Sequence, residues 1–170
     1  MENTLTEIIT RLEENAHSLG LSYIDEEYGQ VEFLDDESRD TYPVTFPAVL
    51  IDCQGGQWSQ LGQSMQNGSA TIAVNIYIDC YDDTHAHSTT IEKVKERLAL
   101  VRSVTELLQE WQPLDNSGKL IRQTTAFQTM NHGIKMYQTT YSVRLCESFN
   151  KMGSAKITTV TLKGGIVNAE

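Results

Sequence analysis

The sequence predicts an α+β fold: a two-layer sandwich of a mainly antiparallel sheet with two helices on one face, plus a C-terminal arm. Three observations carry this prediction. Two segments repeat apolar residues at the helical period, the stretch 69–81 alternates strictly, and a glycine closes a hairpin connection at 131–133. Strands joined by hairpins, with two helices to cover one face, fit two packed layers. The length of 170 residues and mass of 19.1 kDa suit one domain, in which roughly 70% of the unfolded surface is buried.

The first helix is predicted over 4–19, where Leu5, Ile8, Ile9, Leu12, Ala16 and Leu19 form one stripe. Thr4 and Glu7 have capping-box spacing, and Gly20 stands where a helix-ending glycine belongs. A short strand is expected over 30–34, inside an acidic stretch, and Pro43 and Pro47 then hold the chain extended. Residues 48–53 read as a strand, 54–68 as a long polar loop, and 69–81 as the clearest strand. In that strand Ala70, Ile72, Val74, Ile76, Ile78 and Cys80 share the face expected to be buried. The second helix is expected over 90–111, with Thr89 and Glu92 as a capping box and Pro113 as its stop. Its apolar stripe is broad enough to cover a sheet and meet something else. Strands follow over 120–130 and 134–147, joined by Asn131-His132-Gly133. Residues 1–149 are thus expected to form a single domain. Residues 150–170, with the β-prone run Ile157-Thr158-Thr159-Val160-Thr161-Leu162 set off by glycines, are expected to form an extended arm that docks on a neighbour.

Composition narrows the function. Hydrophobic residues make up 39% and charged residues 21%, which excludes a disordered chain. Three cysteines exclude a disulfide scaffold, and no apolar run reaches the roughly 18 residues of a membrane span. The opening Met1-Glu2-Asn3-Thr4 lacks signal-peptide character, so the expectation is a protein made and kept in a reducing cytoplasm. A net charge of −10 argues against specific nucleic-acid binding. The charge is also polarised: residues 1–92 carry two basic groups against seventeen acids, and 93–170 eleven against six. Such asymmetry suits head-to-tail self-association as well as ordinary solvated faces.

Few residues offer chemistry. The segment Asp79, Asp82, Asp83, His85, His87 contains hard metal-ligand types, but it lies between a strand and a helix, where Asp residues also build turns. A small metal-dependent enzyme using these residues is the alternative from another functional class. Cys53, Cys80 and Cys146 fall one per strand and read as small core residues. The acidic run includes Asp25, Glu26, Glu27, Asp35, Asp36 and Glu37, and it lacks calcium-loop spacing. It reads as a solvated loop or a functional negative surface. From Cys53 to Ile78 no residue is charged, yet 54–68 is expected to be exposed. There Gln57, Gln60, Trp58, Leu61 and Met65 have the composition of a protein-interface core. No nucleotide-binding loop or serine-hydrolase elbow is present, so no catalytic residue, metal or cofactor is assigned.

The middle of the chain resembles the tail-completion proteins of tailed bacteriophages, the family that includes tail terminators. The resemblance rests on Phe46-Pro47-Ala48-Val49-Leu50-Ile51, the polar glycine-containing stretch, Ala73-Val74-Asn75-Ile76-Tyr77-Ile78-Asp79-Cys80-Tyr81 leading into a long helix, and the closing Tyr141-Ser142-Val143-Arg144-Leu145. It spans roughly residues 1–147. It implies a non-enzymatic virion protein, made in the bacterial cytoplasm and located in the virion tail or neck. Its implied partners are further copies of itself in a ring of commonly six subunits, the tail tube protein, and the head-tail connector or neck protein. A head-completion or neck protein is the alternative within this reading. The resemblance leaves the acidic stretch at 25–40 and the segment 150–170 without a role.

Overall fold

A computed structural model describes residues 2–32, 43–130 and 133–149. Its elements in chain order are α1 (Glu2–Leu19), β1 (Tyr23–Glu26), β2 (Ala48–Gly62), β3 (Met65–Asp79), α2 (Glu92–Leu108), β4 (Ile121–Thr129) and β5 (Ile134–Ser148). The strands form one five-stranded sheet in the order β1-β2-β3-β5-β4. Only the β1–β2 pair is parallel; the others are antiparallel. This is the α+β sandwich that the sequence predicts, with both helices on one face.

The helix-side core shows why. Ile8 and Leu12 of α1 and Val101, Val104 and Leu108 of α2 are buried against Val49, Ile51, Ala70, Ile72, Val74, Ile76, Tyr141 and Val143. The helical stripe and the alternating strand positions therefore meet in one cluster. Arg11 ties the helices together: its Nε–H donates to the Leu107 carbonyl at 3.0 Å, and its guanidinium lies 4.6 Å from the centre of the Trp111 ring. At the end of α1, Gly20 adopts φ 69°. Gly20 N–H bonds to His17 O and Leu21 N–H to Ala16 O, the paired bonds of a Schellman cap.

The helix starts differ from expectation. α1 already begins at Glu2, so Thr4 lies within the first turn, fully buried with its hydroxyl unbonded, and no Thr4–Glu7 capping box forms. α2 begins at Glu92 after a helical Ile91 with no side-chain cap, and the Thr90 hydroxyl donates to the Asp83 carbonyl instead. It stops at Leu108, well before Pro113. Glu110 turns to φ 61°, and its N–H bonds to Leu120 O while Leu120 N–H bonds to Trp111 O. Burying Leu120 completely draws the chain back to the sheet and ends the helix.

Three strand expectations are corrected. The strand expected over 30–34 is instead β1 at 23–26, where the open edge of Ala48–Ile51 offers backbone partners. Gln30, fully buried, builds a turn: its Oε1 accepts from Tyr28 N–H and its Nε2 donates to the Glu26 carbonyl. Residues 33 and 34 lie outside the described residues. The polar loop expected over 54–68 is a β-ribbon. β2 runs on to Gly62, turns through Gln63 and Ser64, and returns as β3 from Met65. Its glycines and glutamines mask the alternation by which strands are recognised, but a partner on each side supplies the backbone bonds.

Nor does β3 have a single buried face. Ala73, Asn75 and Tyr77 are buried, and the segments around Glu27–Val31 and Val44–Phe46 pack on this second face. There Val31, Val44, Ala48, Leu50, Tyr77, Ile134 and Met136 make a smaller core with Tyr23, Phe46 and Met130. The arm expected over 150–170, and with it the division of the chain at 149, lies outside the described residues.

Candidate functional site

The feature that stands out for recognition is the far part of the ribbon. β2 pairs with β1 only through Ile51, so its outer edge from Gln54 onward pairs with no described strand, while its inner edge pairs with β3 to Met65. β3 is backed along its whole length by β5, from Met65↔Ser148 to Asp79↔Ile134. A three-stranded projection results, uncharged along β2 and β3 and carrying Arg144 and Glu147 on β5, with bulges at Cys53/Gly55 and Gln60/Gly62. It is closed by the Phe149 N–H bonding to Ser64 O at 2.7 Å.

The interface residues expected from sequence all lie here and are exposed: Gln57, Trp58, Gln60, Leu61 and Met65. Leu61 is 61% exposed, Met65 45% and Trp58 36%. The pleat separates them. Trp58 sits opposite Gly68 on the helix side, whereas Met65, three positions from Gly68, projects from the other face. Gln60 joins Trp58 by register, and Gln66 Nε2 donates to Gln60 Oε1 at 3.4 Å. A depression of about 450 Å³ along the ribbon is bordered by Gln57, Trp58, Ser59, Asn67, Gly68, Ser69 and Arg144.

Trp58 explains Gly68. A Cβ added to Gly68 would stand 2.6 Å from Trp58 Cδ2 and Cε3, and 2.9 Å from the Gln57 carbonyl oxygen. The indole therefore lies flat across the space that a side chain would fill, covering the weakest residue of its partner strand. Gly68→Ala is expected to displace the indole and cost about 1–2 kcal/mol. Thermal unfolding, together with greater quenching of tryptophan fluorescence by acrylamide, checks this.

The acidic residues divide. Asp25 is tied locally, accepting from Tyr23 Oη–H and Glu26 N–H at 2.8 Å each, and Glu26 is exposed. Glu27 turns inward rather than joining a negative surface. Half-buried, it accepts from Asn75 Nδ2–H and from Tyr77 Oη–H, at 2.6 Å for the latter. Burial and then this carboxylate hold the Tyr77 phenol well above its ordinary range. The bond joins an acidic segment to the middle of β3, and nothing in the spacing of Glu27 from Asn75 signals it. Asp35, Asp36 and Glu37 lie outside the described residues.

The Asp79–His87 segment is an exposed turn. His85 Nδ1 lies 2.8 Å from Asp83 Oδ1, with both side chains largely in solvent, and Asp79, Asp82 and His87 are exposed as well. Among the described residues no three His, Cys, Asp or Glu side chains gather as a metal site. All three cysteines are free and half-buried. Burial, reinforced by Asp52 at Cys53, pushes the Cys53 and Cys80 thiols up, away from the reactive thiolate. Within the described residues, no helix is long and apolar enough to cross a membrane.

Sequence reasoning missed a second exposed surface. Among the described residues β4 is the outer strand, exposed at nearly every position, and α2 does not reach over it. A groove of about 620 Å³ separates the two, with Phe127, 63% exposed, on one wall and Leu98, 48% exposed, on the other. The signal was the breadth of the α2 stripe, to which Leu98 belongs.

No protein-family model matches the sequence, and no curated protein does either. Among solved structures, the fold is shared with a chain described as "Virion of native gene transfer agent (GTA) particle". The TM-score is 0.53, over 83% of this chain and 92% of that one, at 7% sequence identity.

Proposed function

We propose that this chain is a structural virion protein of a phage or prophage: a tail terminator, or a closely related neck protein. In this reading it forms a ring, of six subunits by the family resemblance, that caps the tail tube and joins it to the head-tail connector. It is made in the bacterial cytoplasm, incorporated into the virion tail or neck, and carries out no catalysis. The observation that carries the reading is the long uncharged ribbon, which exposes Trp58, Leu61 and Met65 with no charge from Cys53 to Ile78. A surface so depleted of charge, with an aromatic and a methionine on it, has the composition of an interface core. Two facts support it. A virion chain shares this fold along nearly its whole length. The acidic first part and basic second part of the chain also suit a heterologous contact, which closes into a ring when the rotation allows.

Light scattering across concentration and salt, with and without tail tube protein, tests the proposal. The expected result is a closed oligomer, weakened by salt because complementary charge is screened. A strict monomer under every condition, with no binding to the tube, would overturn it. Mass spectrometry of purified particles adds a second check, since the chain must be found in them.

A further inference from the structure

We propose that the outer edge of β4 receives the segment 157–162 of a second copy of this chain as an added antiparallel strand, with alternate side chains seated in the groove between β4 and α2. The inference rests on the self-association proposed above and specifies its contact.

Three observations lead to it. First, β4 is an unprotected edge. Its nine residues pair with β5 on one side only, and no described strand pairs along the other. Side chains reach its backbone only at the Ile121 end, where Arg122 N–H bonds to Gln109 Oε1 at 3.0 Å and Gln123 Nε2 donates to the Ile121 carbonyl at 3.2 Å. The strand has no proline and carries one charge, Arg122; its bulge, at Arg122/Thr124, lies at the Ile121 end and leaves Thr125–Thr129 as a regular edge open to strand addition. Second, the groove beside it is apolar where a strand's side chains would enter. Leu98 and Val101 of α2 face Phe127, and Phe127 itself stacks edge-on against Tyr137 with ring centres 5.4 Å apart. Third, the sequence beyond Phe149 supplies a matching strand. In Ile157-Thr158-Thr159-Val160-Thr161-Leu162 every residue is β-branched except Leu162, and Thr158, Val160 and Leu162 share one face.

Chain length decides between the subunit's own segment and a neighbour's. A six-residue antiparallel partner of β4 must enter between Ala126 and Thr129, which lie level with Gln138 and Lys135. Phe149 is at least eleven residues further along β5, roughly 36 Å or more away at the strand rise. The eight steps from Phe149 to Ile157 span at most about 29 Å. The subunit's own segment would reach only the Ile121 end, would have to pair parallel, and would be almost fully stretched. Its path along β5 is also taken: Gly118 N–H bonds to Arg144 O at 2.7 Å, and Cys146 N–H bonds to Asn116 O at 3.2 Å. A second copy has neither constraint, and antiparallel pairing is the more stable arrangement per residue.

Two measurements on the full-length chain test this. Thr125→Cys and Val160→Cys chains, mixed and mildly oxidised, are expected to give a disulfide-linked dimer that neither chain gives alone, and the double variant a ladder of multimers. An intrachain product only would overturn the proposal in favour of the subunit's own edge. Val160→Pro, which removes a backbone donor, is expected to weaken assembly at least about tenfold while leaving the monomer's melting temperature unchanged. A lowered monomer melting temperature would likewise overturn it, because the segment would then belong to its own sheet. If Val160→Pro assembles like the native chain, this contact is wrong and the ring reading stands. A native chain that never self-associates overturns both.

Discussion

Glu27→Ala is expected to lower the unfolding free energy by about 3 kcal/mol, a large share of a small domain's stability. The carboxylate accepts from both Asn75 and Tyr77, and these donors are 4% and 2% exposed. Without it two donors in the middle of the sheet lose their acceptor, while the residue removed is itself only half-buried. Tyr77→Phe should cost less, about 1 kcal/mol, because one bond goes and no donor is stranded. Urea unfolding of the two variants checks the ranking. The same contact predicts a pH dependence. The folded state keeps the Tyr77 proton to higher pH than the unfolded chain, whose tyrosines titrate near pH 10. Above about pH 10 the native state therefore binds more protons than the unfolded one, and stability falls as pH rises; below that the contribution is complete. Burial raises the phenols of Tyr23 and Tyr141 as well, so Tyr77→Phe should reduce the alkaline slope without abolishing it. An unchanged slope would remove Tyr77 from the account.

Leu61→Asp should abolish or sharply weaken assembly, by about tenfold or more, with the melting temperature of the subunit unchanged. Leu61 sits at the bulge beside the ribbon tip and is largely exposed, so the folded monomer loses almost no burial. An interface core closing over it would have to bury a charge without a partner, in a stretch that offers no cation. Trp58→Ala is expected to weaken assembly by about 2 kcal/mol. It also uncovers Gly68, however, and mixes a stability loss into the result. Leu61 separates the two effects. Normal assembly of Leu61→Asp in light scattering would show that the ribbon tip is not a contact.

What the sequence revealed follows from which signals are local. Both helices, the strict alternation before Asp79 and the β4–β5 hairpin were legible because apolar spacing within a few turns or pleats specifies them. Gly133 with φ 70° bears out the glycine of that hairpin. The ribbon was not legible. Between Cys53 and Gly68, Gly55, Gly56, Gly62 and five glutamines give neither alternation nor β-branched enrichment, and the strands exist because Arg144–Ser148 and each other supply hydrogen bonds from a distance. The second core was hidden for a related reason. Asn75 and Tyr77 read as the solvent side of an alternating strand until the segment around Val31 and Val44 is brought beneath them. The candidate interface was legible in composition, since its lack of charge is visible in one dimension. Its division between two faces of the ribbon depends on the Trp58↔Gly68 register.

The fifteen-residue continuity of β2, β3 and β5 has a mechanical consequence. Each strand is about 50 Å long, runs unbroken from the double-sided core into the ribbon, with β2 bent at the Cys53/Gly55 bulge, and is bonded to its neighbour along nearly the whole distance. A pull on the ribbon tip along the strands loads those bonds side by side, so many must rupture at once rather than unzip singly. Tension arriving at Leu61 or Met65 is thereby carried straight to Ile51, Ile72 and Tyr141 beneath the helices. A subunit placed where two parts of a particle pull on each other would yield last along that axis, and first by peeling at the short β1 edge.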